Sequence, residues 1–373
     1  MFRRHLAVDF IKAGHEIIAV APADSLWGPK LQALGITFVP LSLVRATISP
    51  FQDLLLLGRL IRLLIKLKPD YLFCYTIKPV IYGGLAAWVT RVKGLCSMIT
   101  GLGYVFTGKS LKQRVLQRVV KILYRFVLGK NQKVFFQNRD DAALFQQFNL
   151  VTKAQIVFVP GSGVDTEYFR PQFPPKEDAS IDFLLIARLL RDKGILEYAQ
   201  AATRLKQKYP QARFFVAGPY EDQNPSKLSF DDWDKIKRDS GITYLGDLND
   251  VREALADCSV FVLPSYREGM PRVVLEAMAM GKPIITTDTP GCRESIEHNV
   301  NGLLVPVKDS GALETCCEFF INDREQIAMM GEESRKRAEA VFDVKKVNAI
   351  ILESMNLQSS TKTVRPLEVC CTS

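Results

Sequence analysis

Short runs rich in β-branched and aromatic residues alternate along this chain with stretches whose apolar positions recur at helical spacing. Before residue 162 the runs are HEIIAVAP (15–22), ITFVPL (36–41), YLFCYT (71–76), LCSMITG (95–101), KVFFQN (133–138) and IVFVPG (156–161). After residue 180 come IDFLLIAR (181–188), ARFFVAGP (212–219), ITYLG (242–246), SVFVLPS (259–265), PIITTD (283–288) and GLLVPV (302–307). Strand-helix alternation of this kind predicts parallel sheets covered on both faces, with runs apolar throughout because both faces are buried. The Pro-rich stretch RPQFPPKEDAS (170–180) interrupts the alternation and reads as a linker. The predicted architecture is α/β, with two doubly wound Rossmann-like domains. An N-terminal domain spans 1–169, a linker 170–180 and a second domain 181–340, followed by a helix at 341–358 returning to the N-terminal domain and a disordered tail at 359–373. Ligands in such sheets bind at the carboxyl ends of the strands, so two facing sheets are expected to enclose a cleft.

The length of 373 residues and the 47% hydrophobic content suffice for two cores. Eight Cys without a Cys-x-x-Cys pair, and only His5, His15 and His298, give little material for a zinc site or a His-based triad and point to a reducing cytoplasm. The opening MFRRHLAVDF lacks a signal-peptide core, and Arg or Lys interrupts every apolar stretch before it reaches membrane-spanning length. Charge is unevenly placed. Residues 1–160 hold 22 Lys/Arg against 7 Asp/Glu, whereas the whole chain is only +9. A basic first half implies an anionic partner.

The chemistry concentrates in residues 259–288, SVFVLPSYREGMPRVVLEAMAMGKPIITTD, a complete βαβ unit. Pro271 suits a first helical position, and Gly281 with Pro283 ends the helix. The loop 266–270 therefore leaves a strand end and enters a helix N-terminus, where the backbone N–H groups of Arg272 and Val273 favour phosphate. Glu268 and Glu276 bracket that N-terminus as acceptor-only groups for sugar or ribose hydroxyls; solvated acids near a helix start are the plainer reading of the spacing alone. Upstream, IDFLLIARLLRDKGI puts Arg188 at a strand end and Lys193 at the next helix start, where two cations can offset a diphosphate without a metal. Taken alone, either cation reads better as a charge on a solvated turn; the pair together with the Glu loop does not.

Together these motifs resemble the family-4 glycosyltransferases, retaining enzymes of the GT-B fold that use nucleotide-diphosphate sugars. The resemblance implies that Arg188 and Lys193 hold the donor diphosphate and Glu276 the ribose. Glu268 would hold the sugar, together with the backbone of Gly269 and Met270. Further matches are VPGSGVD (159–165, with Gly163), VAGP (216–219, with Gly218), GDLNDV (246–251, with Leu248 on the base side) and NGLLV (301–305). TIKP (76–79), ITGLGYVF (99–106) and FQN (136–138) look like the branch that builds bacterial surface glycans on polyprenyl-diphosphate carriers. Many relatives place a His near Thr100–Gly103; here no His falls there, and Lys78, Gly101, Gly103 and Asn138 are the acceptor-side candidates. Members of the family also begin with a β-strand, whereas this chain opens inside a helical pattern, so the first sheet is expected to lack that strand. The implied partners are a nucleotide-diphosphate sugar, UDP-linked by expectation, and a lipid-linked glycan acceptor. No metal or other cofactor is implied, and no nucleic acid. The expected place is the cytoplasm, peripheral on the inner face of the cytoplasmic membrane.

The segment 108–133 carries eight Lys/Arg and no acid, with Leu111, Val115, Val119, Ile122 and Phe126 as an apolar stripe. It predicts a helix whose stripe lies on the sheet and whose basic face can meet anionic lipid. The more apolar 53–67 reads as core. Asp232-Trp233-Asp234 has a metal-binding Asp-x-Asp form, but helix capping explains it better. Cys370 and Cys371 lack a prenylation pattern. Rival functions are a nucleotide-sugar epimerase of the same fold, a redox enzyme, for which no Gly-x-Gly-x-x-Gly follows an opening strand, and a non-catalytic binder of nucleic acid or anionic membrane.

Overall fold

The computed structural model describes residues 3–25, 27–42, 50–102, 111–171, 180–221, 224, 226–358 and 366–369. The chain divides into two compact units, 1–162 with 345–373, and 163–344.

In the first unit the elements run α1 (Arg4–Lys12), β1 (Ile18–Ala21), α2 (Trp27–Gln32), β2 (Thr37–Pro40), α3 (Pro50–Leu67), β3 (Tyr71–Tyr75), α4 (Gly84–Thr90), β4 (Gly94–Ile99), α5 (Leu111–Leu128), β5 (Lys133–Phe136), α6 (Arg139–Gln147) and β6 (Ile156–Phe158). The second unit contributes β7 (Ile181–Ile186), α7 (Ile195–Lys208), β8 (Ala212–Ala217), α8 (Phe230–Asp239), β9 (Ile242–Tyr244), α9 (Arg252–Asp257), β10 (Val260–Leu263), α10 (Arg272–Ala279), β11 (Ile284–Thr287), β12 (Gly302–Val305), α11 (Ser310–Asn322) and α12 (Glu325–Arg337). The chain ends with α13 (Val344–Ser354) and β13 (Pro366–Val369). Each of the twelve predicted runs coincides with one of the strands β1 to β12, β4 beginning one residue before its run.

All strand pairs are parallel, in the orders β2-β1-β13-β3-β4-β5-β6 and β12-β11-β10-β7-β8-β9. Strands β4 and β7 are buried along their whole length, as apolar runs between two helical layers must be. In the first unit one core lies between the sheet and α3, α4, α5 and α6; the other is filled by α1, α2 and α13, with Leu6, Phe10, Leu31, Val347 and Ile351. Burial of such aliphatic and aromatic side chains, worth about 1.5–3 kcal/mol each, supplies the main drive to fold. The second unit repeats this plan, with α7, α8 and α11 on one face of the sheet and α9 and α10 on the other.

Three features depart from the sequence expectations. The division at 162/163 precedes the Pro-rich stretch, because Phe169 is buried in the second unit's core and Arg335 donates to the carbonyls of Thr166 and Phe169. The tail is not disordered throughout: Pro366–Val369 form β13, which fills the place between β1 and β3, pairing Leu367 with Ile18 and with Leu72. Finally, the stripe that α5 turns to the core is Val120, Tyr124, Val127 and Leu128, while Val115, Val119, Ile122 and Phe126 are exposed. Leu111, the first residue of the stripe read from the sequence, lies outside the residues whose side chains are described. The expected orientation of that helix is thus reversed. Two apolar stripes were available, and the one carrying the bulky Tyr124 meets Phe145 at 5.3 Å between ring centres.

Candidate active site

The order of the second sheet places β7 beside β8 on one side and β10 on the other, so the chain reverses its direction of winding at β7. The segments leaving β7 and β10 begin at such a switch point, where open α/β sheets bind ligands. Arg188 follows β7, and a 3₁₀ turn, Arg191–Lys193, leads to Gly194 and α7. Gly194 has φ +72°, and a Cβ there would lie 2.2 Å from the carbonyl oxygen of Pro264. Only glycine lets the turn after β7 press this closely on the segment leaving β10. The two loops are tied again by Tyr266 N–H, which donates to Asp192 O at 2.8 Å, and by Tyr266 Oη, which donates to Glu197 Oε1 at 2.8 Å.

These ties bring the predicted charges together. Lys193 Nζ lies 2.5 Å from Glu268 Oε1, with both side chains about six-sevenths buried. Asp192 has its carboxyl pKa raised, first by burial; Lys193 opposes that shift, Glu268 adds to it and Arg188 opposes it. Arg188, Asp192, Lys193 and Glu268 therefore share one electrostatic neighbourhood. Arg188 itself is gripped by both oxygens of Glu221, at 3.1 and 3.0 Å.

Glu268 is fixed from behind. Its N–H donates to Pro290 O at 3.2 Å, and Gly291 stands so close that a Cβ would fall 2.3 Å from the Glu268 carbonyl oxygen and 2.6 Å from that of Gly269. Gly291 N–H in turn donates to Glu294 Oε2 at 2.7 Å. Cys292, buried beside Glu268, has its thiol pushed up to about 11, mainly by burial.

Pro271 is the N-cap of α10 rather than its first residue, with ψ 109°. Its carbonyl takes the N–H of Val274 at 3.1 Å, which leaves Arg272 and Val273 to head the helix. Met270 is buried, and Val273 and Leu248 pack on the same apolar cluster. Glu276 is buried, and its carboxyl pKa is raised above the usual range by desolvation; Arg272, 2.8 Å away, opposes that shift and Asp250 adds to it. Asp250 belongs to the predicted base-side loop, so that loop and Glu276 are neighbours.

The two predicted glycines have separate reasons. Gly218 at φ +132° would carry its Cβ 2.0 Å from Ala187 O, immediately before Arg188. Gly163 instead lies against Val344, whose Cα would be 2.6 Å from a Cβ, so its close approach is to the chain returning toward the first unit.

In the first unit Lys78 follows β3 and Thr76, a non-glycine residue at φ +66°. Lys78 Nζ pairs with Asp53 Oδ1 at 2.9 Å; Tyr82 also bonds Asp53, and its hydroxyl is pushed up to about 12 by burial and by that acid. Gly101 has φ +137°, and Gly103 lies outside the described residues. Asn138 is corrected: it is wholly buried as the N-cap of α6, accepting from Asp141 N–H at 2.8 Å, and offers nothing to an acceptor. Asp232 and Asp234 diverge in ion pairs with Arg191 and Lys237, and Ser229 caps their helix. Glu197, Glu221, Gly291 and Glu294 were not singled out from the sequence. Of these, only the turn Thr-Pro-Gly just after a strand gave a signal.

Paired cations, bracketing acids and a helix N-terminus at a switch point suit a phosphorylated ligand rich in hydroxyls. Family comparison agrees: residues 166–337 match "Glycosyl transferases group 1" and residues 2–161 match "Glycosyl transferase 4-like domain". The chain belongs to this family of glycosyltransferases. It is 29% identical over 334 residues to the N,N'-diacetylbacillosaminyl-diphospho-undecaprenol alpha-1,3-N-acetylgalactosaminyltransferase of Campylobacter jejuni, covering 86% of each chain. With the UDP-Gal:alpha-D-GlcNAc-diphosphoundecaprenol alpha-1,3-galactosyltransferase of Escherichia coli it shares 28% identity, covering 84% of this chain and 81% of that one. The solved structure of Anabaena HepE in complex with UDP-glucose superimposes with a TM-score of 0.77 over 95% of both chains at 19% identity, which establishes the shared GT-B fold. These similarities favour neither the epimerase nor the non-catalytic binder.

Proposed function

We propose that the protein transfers a sugar from a UDP-sugar to a hydroxyl of a glycan carried on a polyprenyl diphosphate, with retention of configuration and without a metal. The observation that carries this reading is the contact of Lys193 with Glu268 across adjacent strand ends, with Arg188 in the same electrostatic neighbourhood. Arg188 and Lys193 hold the diphosphate and neutralise it as it departs. When phosphate takes over Lys193, Glu268 is released to accept hydrogen bonds from the sugar hydroxyls. Glu276, once ionised, accepts from the ribose, the N–H groups of Arg272 and Val273 face phosphate or sugar oxygens, and Leu248 lies toward the base. The bond from anomeric carbon to phosphate oxygen breaks, and the acceptor oxygen bonds that carbon on the same face. The acceptor proton passes to the departing diphosphate, so no enzymic nucleophile takes part.

Two similar proteins are named for undecaprenyl-diphosphate substrates, which supports a lipid-linked acceptor, and the excess of Lys/Arg in residues 1–160 supports work at an anionic membrane on its cytoplasmic side. The test is to incubate the protein with a panel of UDP-sugars and a polyprenyl-diphosphate sugar, and to weigh the lipid product. A gain of one sugar residue with release of UDP is expected. Conversion of a UDP-sugar into its epimer, or no UDP release with any donor, would overturn the proposal.

A further inference from the structure

The layer formed by α3, α4 and α5 presents an apolar outer face that the fold does not need. At 100° per residue, Val115, Val119, Ile122 and Phe126 form one stripe on α5, directly opposite the stripe that packs on the sheet. Ile122 is 69% exposed. On one border of this stripe stand Arg114 and Arg118, both exposed. Helix α4 packs against both α3 and α5 and extends the face with Trp88 and Val89, each just over half exposed; Trp88 meets Phe126 edge to face at 5.1 Å. On α3, Leu56, Leu60 and Leu64 face inward and Phe51, Leu54 and Ile65 outward, beside the exposed Arg62 and Lys66.

Charge selects the occupant. Residues 50–133 hold 15 Lys/Arg and only two acids. Both acids are already paired, Asp53 with Lys78 and Asp70 with Lys93. A second copy of this face would meet it with like charge, whereas an anionic bilayer offers phosphate to the cations and acyl chains to the apolar stripe. Tryptophan, with its apolar ring and polar N–H, suits the boundary between the two. No described helix is long and apolar enough to cross a membrane.

We infer that the outer face of α3, α4 and α5 is a membrane-insertion surface, in which Val119, Ile122, Phe126 and Trp88 enter the headgroup-acyl boundary of an anionic bilayer and Arg114 and Arg118 hold lipid phosphates. This rests on the reading of a lipid-linked acceptor and deepens it: charge brings the first unit to the membrane, and apolar insertion keeps it there. Insertion also makes the attachment less sensitive to salt than charge alone would allow.

The full chain should be titrated with vesicles of phosphatidylglycerol and phosphatidylethanolamine while tryptophan emission is followed, using lipids with bromine on the acyl chains. The expected result is vesicle binding that persists in part at high salt, with a blue shift and bromine quenching that disappear in Trp88→Phe. The double variant Ile122→Ser, Phe126→Ser should weaken partition by about a hundredfold, roughly tenfold (1.4 kcal/mol) for each large apolar side chain lost. Arg114→Glu with Arg118→Glu should weaken it as well. UDP affinity, measured on the same samples by calorimetry, should be unchanged in all of these variants and shows that they are folded. Binding abolished by salt without quenching, binding indifferent to either double variant, or concentration-dependent self-association in place of vesicle binding would each overturn the inference. Failure of the chain to bind UDP while vesicles are bound would sink the glycosyl-transfer reading and leave this surface standing.

Discussion

Arg188, proposed to hold the donor diphosphate, is paired with an acid in the structure. One guanidinium nitrogen, Nη1, already donates to both oxygens of Glu221, an anion pairing that a diphosphate could take over. Replacement by Ala removes the grip in the transition state as well as in the ground state. It is expected to lower kcat/KM by a factor on the order of 10²–10³, with the melting temperature unchanged because the pair is half exposed; near-normal transfer would count against the assignment. Glu276 makes a different prediction. Its folded pKa is raised, so it takes up protons more readily folded than unfolded, and the resulting stability is present at low pH and lost as pH rises through the folded value. In its proposed role Glu276 accepts from the ribose only when ionised, so UDP affinity should decline on acidification earlier than an ordinary Glu would allow. Glu276→Gln should abolish that decline, weaken UDP binding at neutral pH and not lower the melting temperature. A pH profile of UDP affinity that is identical in the variant would refute this role. The four charged positions were legible in the sequence because two motifs each fall just after an apolar run, where a strand must end. Glu221 and Glu197 were not legible: acids on a loop and a helix surface carry no pattern until folding brings them to Arg188 and Tyr266.

Elements show where periodicity informs and where it misleads. Strands such as β4 and β7 were legible because burial on both faces makes them apolar at every position. Helix α5 was misread because apolar residues cover two of its faces, and spacing alone cannot say which face meets the sheet. Only the side chains of the facing layer decide that, and Tyr124 packs at a tilt on Phe145 from the inner stripe. Asn138 was misread for a related reason. A polar residue just after a strand serves as well to start a helix as to bind a ligand, and its Oδ1 is taken by Asp141 N–H. Asn138→Ala should therefore cost about 1–2 kcal/mol of stability, read as a lower denaturation midpoint, without changing the affinity for UDP. Gly291 is the converse case, a turn residue with a catalytic consequence. Gly291→Ala would force the carbonyls of Glu268 and Gly269 aside, so kcat/KM should fall sharply, whereas Ala at the open helical Gly58 meets nothing within 4 Å and should leave it unchanged. Equal activity of Gly291→Ala and the parent would show that the Glu268 loop tolerates displacement.

At the scale of the whole molecule, distant parts of the sequence complete the first sheet. Strand β13 lies between β1 and β3, so the hydrogen bonds of both depend on residues 366–369. Removing 359–373 leaves two inner edges unpaired in the middle of the sheet. It should lower the melting temperature and expose surface that binds a hydrophobic dye; an unchanged melt would contradict this pairing. Nothing in the local pattern of the tail announces such a strand, since its partners lie more than 290 residues away in sequence. The unequal charge of the two halves, by contrast, was plain from composition, and the fold gathers much of it around the α3–α4–α5 face.

In the proposed donor site, fixed cations and buried acids of the second unit hold a nucleoside diphosphate. Calorimetric titration of the full chain with UDP, without added metal, tests it most directly. Saturable binding to one site is expected, weakened by at least about tenfold in both Arg188→Ala and Lys193→Ala, the loss of a charge-assisted hydrogen bond of roughly 1.5–3 kcal/mol. Binding of equal strength in parent and variants, or no binding by the folded parent, would contradict it.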